Sequence, residues 1–115
     1  MKLIAVAAAV EMIAGVVLIV TPSLFARLIL NADLNAGAGA LGRVGGFGLL
    51  GLGVASWPGS SGVRGLLVYN ALAAIFFVDL GVRGTLVGTL LWPAAILHIV
   101  LAILLAFVFV RERRA

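Results

Sequence analysis

Four apolar runs fill most of this sequence, each close to the ~20 residues a helix needs to cross roughly 30 Å of hydrocarbon. They cover about residues 3–20, 36–57, 63–80 and 86–110. Transmembrane β-strands would be about 10 residues long with two-residue alternation, and these runs show neither property. The alternative to spanning a membrane is to be packed in a soluble core, and composition rules that out. Hydrophobic residues make up 64% of the chain and charged residues 10%, against about a quarter charged in soluble domains. A chain of 115 residues with so few polar groups cannot coat a water-soluble surface. The expected fold is therefore all-α: one transmembrane domain over residues 1–115, an integral membrane four-helix bundle with antiparallel spans.

The connections support that reading. Pro58-Gly59-Ser60-Ser61-Gly62 separates spans two and three, and Gly81-Val82-Arg83-Gly84 separates three and four, with Thr85 as a helix cap. Loops this short force neighbouring helices to run antiparallel. The first connection is longer. Thr21-Pro22 has the pattern of a cap followed by proline in the first helical position. Leu24, Phe25, Leu28 and Ile29 then share one helical face, with Arg27 on another. Two readings stand: a short helix lying in the membrane interface, or a frayed end of span one. Asn31, Asp33 and Asn35 mark the turn. In the long fourth run, Pro93 is expected to mark a bend.

An N-terminal lysine followed by an apolar run also fits a secretory leader. Glu11 interrupts the apolar stretch, however, and no small-x-small cleavage pattern follows, so the run is read as a retained first span. With an even number of spans, both termini share a side with the second loop. That side carries Lys2, Arg64, Arg111, Arg113 and Arg114, and the other carries Arg27, Arg43 and Arg83. The basic excess predicts a multi-pass cell-membrane protein with both termini in the cytoplasm.

Some chemistry is excluded at once. The chain has no cysteine, so disulfides, thiolate nucleophiles and iron–sulfur clusters are absent. Its one histidine cannot build a multi-histidine metal or haem site within one chain. No cofactor is expected. The net charge of +4 comes largely from the Arg111-Glu112-Arg113-Arg114 tail. That is a membrane-surface anchor rather than the basic, aromatic face of a nucleic-acid binder. The expected partners are the lipid bilayer and other membrane subunits or copies of the same chain, with no nucleic acid.

Charged and polar groups within spans default to the bundle interior, and here they are few. Glu11 lies near the middle of span one, and Ala7, Glu11 and Gly15 share a face. That small-residue stripe marks close helix packing. Glu11 is read either as a proton or cation site, or as a carboxyl that fixes helix register. In span four, His98 shares a stripe with Ala95, Ala102 and Ala106. It is either a proton relay or acid–base group with Glu11, or an imidazole hydrogen-bonded to a backbone carbonyl or to Asn70. Asn70 follows Tyr69 in span three, on a face with Leu66, Ala73, Ala74 and Phe77. At ~1.5 Å per residue, Glu11, Asn70 and His98 fall within roughly 8 Å of one another in depth, so one polar layer is expected. Arg43 and Asp79 are at similar depth near the other boundary and form the expected ion pair, with Arg43 to Glu11 the competing pair. Span two is glycine-rich. Ala38, Gly42 and Gly46 repeat at four-residue spacing, the pattern that lets helix backbones approach, within the monomer or in a homodimer. Trp57 and Trp92 are expected at the interface or in packing.

Two resemblances follow from these residues. The layout resembles small bacterial four-span proteins of the DoxX-like type. Shared features are Thr21-Pro22-Ser23-Leu24-Phe25-Ala26-Arg27 after span one and Gly42-Arg43-Val44-Gly45-Gly46 opening span two. Tyr69-Asn70 in span three and Leu91-Trp92-Pro93-Ala94-Ala95-Ile96-Leu97-His98 in span four complete it. The resemblance covers nearly the whole chain and implies the four-span fold, with no chemistry to carry over. The segment Ala9-Val10-Glu11-Met12-Ile13 is also similar to the first span of small multidrug resistance transporters. That would make Glu11 a shared proton and drug-cation site. The later spans lack the aromatic-flanked third-helix pattern of those transporters, and His98 and Arg43 are foreign to it.

Three functions fit: a non-enzymatic accessory, assembly or interaction component of the membrane; a proton-coupled small-cation exporter using Glu11; or a membrane enzyme on a lipid-like substrate using Glu11 and His98. The first has short loops and the lack of a catalytic set in its favour.

Overall fold

The computed structural model describes residues 2–57 and 62–115. Most of the second loop, Pro58 to Ser61, lies outside them. Helix α1 spans Lys2–Val20. A short helix α2, Pro22–Phe25, continues as a π-helical turn, Ala26–Leu30. Then come α3 (Ala36–Ser56), α4 (Val63–Arg83) and α5 (Leu91–Arg114). Helices α1, α3, α4 and α5 are each long and apolar enough to cross a membrane, so the chain is an all-α, multi-pass membrane protein built as a four-helix bundle. Its Cα trace measures 48 × 28 × 18 Å. The long dimension is about that of a bilayer with its headgroups.

The flattened cross-section reflects two helix pairs side by side, α1 with α3 and α4 with α5. In hydrocarbon no hydrophobic effect drives helices together, so small residues that admit close backbone approach decide the pairing. Between α1 and α3 those residues are Gly15, Gly46 and Gly53. A methyl added to Gly15 would sit 2.7 Å from the Gly46 carbonyl oxygen and 2.7 Å from the Leu50 nitrogen. One added to Gly46 would sit 2.6 Å from the Gly15 carbonyl oxygen, and one on Gly53 would overlap Met12. The contact line on α3 therefore steps seven residues, from Gly46 to Gly53. It departs from the four-residue Ala38–Gly42–Gly46 stripe, and Gly42 rests on the Pro22 ring instead.

At the end bearing both termini, Ile4 and Ala7 of α1 interlock with Val63 and Leu66 of α4 and Leu101 and Leu105 of α5. Ala7 thus packs toward α4 and α5, while Gly15, two turns on, packs toward α3. Near the same end α3 and α4 touch, with Leu52 against Gly65 and Ser56 against Gly62. Ser56 bonds back to the Leu52 carbonyl at 2.8 Å.

The opposite end is closed by backbone rather than side chains. The last carbonyls of a helix lack intrahelical donors. In the α2 segment two of them are taken by the loop before α5: Gly88 N–H donates to Ile29 O at 3.0 Å and Leu90 N–H to Leu28 O at 2.8 Å. Gly88 has no room for a side chain, which would overlap the Leu28 carbonyl. Ile29, Leu80 and Leu91 seal this end. The loop's use of these residues is why α5 starts at Leu91 and not near residue 86, and why Thr85 caps nothing. Pro93 sits in the first turn of α5, where its missing N–H has no helical partner to lose, so the expected bend has no local cause. Thr21 makes no side-chain cap. Asn35 does cap α3, accepting from Ala38 N–H at 2.8 Å.

These contacts predict opposite behaviour for neighbouring glycines. Gly46→Ala is expected to destabilise the bundle by about 1–3 kcal/mol through overpacking, while Gly48→Ala, with nothing within 4 Å of the added methyl, is expected to raise stability by up to about 1 kcal/mol through helix propensity. Denaturation midpoints of the two variants in the same mild detergent check this.

Candidate functional site

The polar layer forms at mid-bundle. Glu11 from α1 and Asn70 from α4 are 0% exposed, and His98 from α5 is 8% exposed. Helices α1, α4 and α5 each supply one polar group to this otherwise apolar layer, while the other buried polar residue, Ser56, lies near the end bearing the termini. Asn70 is the connector. Its Nδ2–H donates to the carbonyl of Leu66, one turn back, at 2.8 Å, and its Oδ1 lies 2.7 Å from Nδ1 of His98. A backbone carbonyl can only accept, so the first bond fixes which way the amide points. The Asn70 oxygen must then accept from His98, and Nδ1 of the imidazole carries the hydrogen. In the neutral ring Nε2 is left as the free acceptor.

Aromatic rings enclose the imidazole. Tyr69 meets it edge-on at 5.8 Å between centroids, and Phe77 lies at 5.6 Å. Neither carboxyl oxygen of Glu11 has a hydrogen-bond partner among the described residues. Asn70 and His98 thus meet directly, and Glu11 is the unsatisfied buried member of the layer. Sequence periodicity misplaced part of the α5 face. The buried line runs Leu91, Ala95, His98, Leu101 and Leu105, whereas Ala102 and Ala106 lie beside it.

Arg43 and Asp79 do not pair, and neither does Arg43 with Glu11. The Arg43 Nε–H donates to the Ile19 carbonyl at 3.1 Å, satisfying an orphan acceptor at the C-terminal end of α1. Asp79 accepts from Arg83 at 2.9 Å, one turn along its own helix. The reason is rotational. Matching depth does not make two helices face each other, and α3 leans on α1 while it diverges from α4 toward this end. A second exposed pair, Arg27–Asp33 at 3.4 Å, bridges the first connection.

The divergence of α3 and α4 opens an apolar groove of about 590 Å³. Gly45, Gly48 and Leu49 line one side, Tyr69, Phe76 and Phe77 the other, and Phe25 lies at its end. Tyr69 and Phe77 belong to two environments: they wall the groove and also pack on His98. Glu11, Asn70 and His98 are not among the lining residues. Neither the groove nor this aromatic wall was legible in the sequence, although Tyr69, Ala73, Phe76 and Phe77 recur at helical spacing. Among the described residues no three His, Cys, Asp or Glu side chains are grouped for a metal ion.

If Asn70 sets the His98 tautomer, nitrogen-15 spectra of histidine-labelled protein will show hydrogen on Nδ1 and a bare Nε2. In Asn70→Leu that preference should disappear. A double-mutant cycle between Asn70→Leu and His98→Phe should yield a coupling of about 1 kcal/mol, typical of hydrogen bonds between membrane helices. Comparison with family models, curated proteins and solved structures finds no match to this chain.

Proposed function

We propose that the protein is a non-enzymatic interaction component of the membrane, and that α3 with its adjoining groove receives a transmembrane helix. The observation that carries this reading is the division of labour among the glycines of α3. Gly42, Gly46 and Gly53 meet α1 or α2, whereas Gly39, Gly45, Gly48 and Gly51 have nothing within 4 Å of where a side chain would begin. Glycine in a span weakens the helix and is enriched where another helix comes close. Among the described residues the second set has no such neighbour, while Gly45 and Gly48 face the apolar groove.

The non-enzymatic part rests on the polar layer. An acid–base pair must reach a shared substrate atom. Glu11 and Asn70 are fully enclosed, and the His98 Nδ1 is occupied by Asn70. The aromatic wall of Tyr69 and Phe77 separates this layer from the groove. The exporter reading has the unpartnered Glu11 in its favour and requires a path that opens the α1–α4 interface. The basic residues at the end bearing both termini favour a cytoplasmic location for that end.

A second reading is favoured by the size of the groove. Its lining on α3 runs from Gly45 to Leu52, which is roughly 10 Å of helix rise, and its volume lies within the usual range for small ligands. A lipophilic molecule from the bilayer would fit that short reach. One experiment separates the two. A photo-crosslinking residue placed at Gly48 of the full chain in native membranes is expected to give a protein adduct. The same residue at Ile75, on an outward face of α4, is expected to give none. Loss of the Gly48 adduct on adding Gly45→Leu would tie it to the groove. Adducts to lipid alone would favour the second reading, and adducts of equal yield at both positions would remove the first.

A further inference from the structure

We propose that the start of α4 and the end of α5 form a binding site for the phosphate of an acidic phospholipid, with Arg64 and Arg113 as its two cationic arms. A groove of about 470 Å³ lies there, lined by Val63, Arg64, Phe109, Glu112 and Arg113. The two arginines come from different helices and converge on one ring. Their guanidinium carbons lie 5.8 and 5.2 Å from the Phe109 centroid. The ring face attracts each cation, and holding two of them at one ring builds positive potential between helices. Glu112 lines the same groove, yet among the described residues neither arginine has a carboxylate within salt-bridge reach. The charge is therefore concentrated and has no direct ion pair, with Glu112 nearby offsetting it only in part.

Two further features point to an anion and to lipid as its source. Lys2, Arg111 and Arg114 stand at the same end of the bundle, so the surrounding field is positive. And the site is at the level where α4 and α5 leave hydrocarbon, which is the depth of the lipid phosphates. A phospholipid can place its headgroup between the arginines while its acyl chains stay along the helices. A soluble anion gains only the first of these contacts. The site is independent of the α3 groove and of any helix bound there.

The test uses the full chain in mild detergent, titrated with phosphatidylglycerol or phosphatidylcholine and read by native mass spectrometry. Phosphatidylglycerol is expected to bind preferentially. At ~1 kcal/mol per basic residue near an anionic lipid, each of Arg64→Gln and Arg113→Gln should weaken it about fivefold, with phosphatidylcholine unaffected. Glu112→Gln should tighten it. Arg27→Gln with Arg83→Gln, at the opposite end, is the control and should change nothing. Circular dichroism confirms that each variant is folded. The proposal is overturned if the Arg64→Gln, Arg113→Gln double variant keeps wild-type preference, if the control pair loses as much, or if excess inorganic phosphate displaces the lipid completely.

Discussion

The contact between the backbones of α1 and α3 at Gly15 and Gly46 governs the rest of the arrangement. In a solvent of lipid tails, burying another leucine gains nothing by itself, because lipid is as apolar as the neighbouring helix. What remains is van der Waals contact, hydrogen bonding and the elimination of voids. The Gly15–Gly46–Gly53 line supplies the first of these by removing side chains where the helices cross. Once α3 is committed to α1 by that line, it cannot also lie flat along α4. It meets α4 near Leu52 and Ser56 and parts from it toward the other end. The groove, the aromatic wall behind it and the separation of Arg43 from Asp79 are all consequences of that divergence.

The second pair is held by different means. Helices α4 and α5 are joined through Asn70 and His98, the one hydrogen bond between two side chains that links two spans among the described residues. At one end of the same pair, Trp92 lies over Gly81, whose side-chain space it fills. Together with the bonds from Gly88 and Leu90 to the α2 segment, this braces the end opposite the termini. The α2 segment is thus structural as well as apolar. Its buried positions, Pro22, Ala26 and Ile29, face the bundle, while Leu24 faces outward. The inward line advances by four residues and then three, as in an ordinary helix, and shares only Ile29 with the apolar face of Leu24, Phe25, Leu28 and Ile29 read from the sequence.

Much of this was legible in the sequence because length and polarity are linear quantities. Three of the four spans begin and end within a few residues of their apolar runs, and depth counted along the helices placed Glu11, Asn70 and His98 in one layer. What failed was azimuth. These helices are apolar all round, so periodicity does not say which side faces protein and which faces lipid. The same depth arithmetic paired Arg43 with Asp79, two residues level with each other on helices that do not face one another there. The late start of α5 was hidden for another reason. Residues 86 to 90 look as apolar as a span, and only their hydrogen bonds to the carbonyls of Leu28 and Ile29 reveal them as a clasp. Asn35, by contrast, carried a readable signal, since an asparagine just before an apolar run is a helix cap.

Glu11 ties these considerations together. Its face carries Ala7, one turn before it, into the α4–α5 core, and Gly15, one turn after it, against α3. It therefore stands where α1 changes partners. A small apolar residue would serve that crossing at no electrostatic cost, and a carboxyl without a hydrogen-bond partner makes it unfavourable in either charge state. Replacing Glu11 with leucine would relieve that cost but fill the space beside Asn70 with a branched side chain. Glutamine keeps the shape and can donate as well as accept. If the group serves only to set helix register, glutamine should match or exceed the wild-type stability. A stability gain coupled with loss of the proposed helix association would instead locate the role of the carboxyl in binding, because stability and association would then have moved in opposite directions.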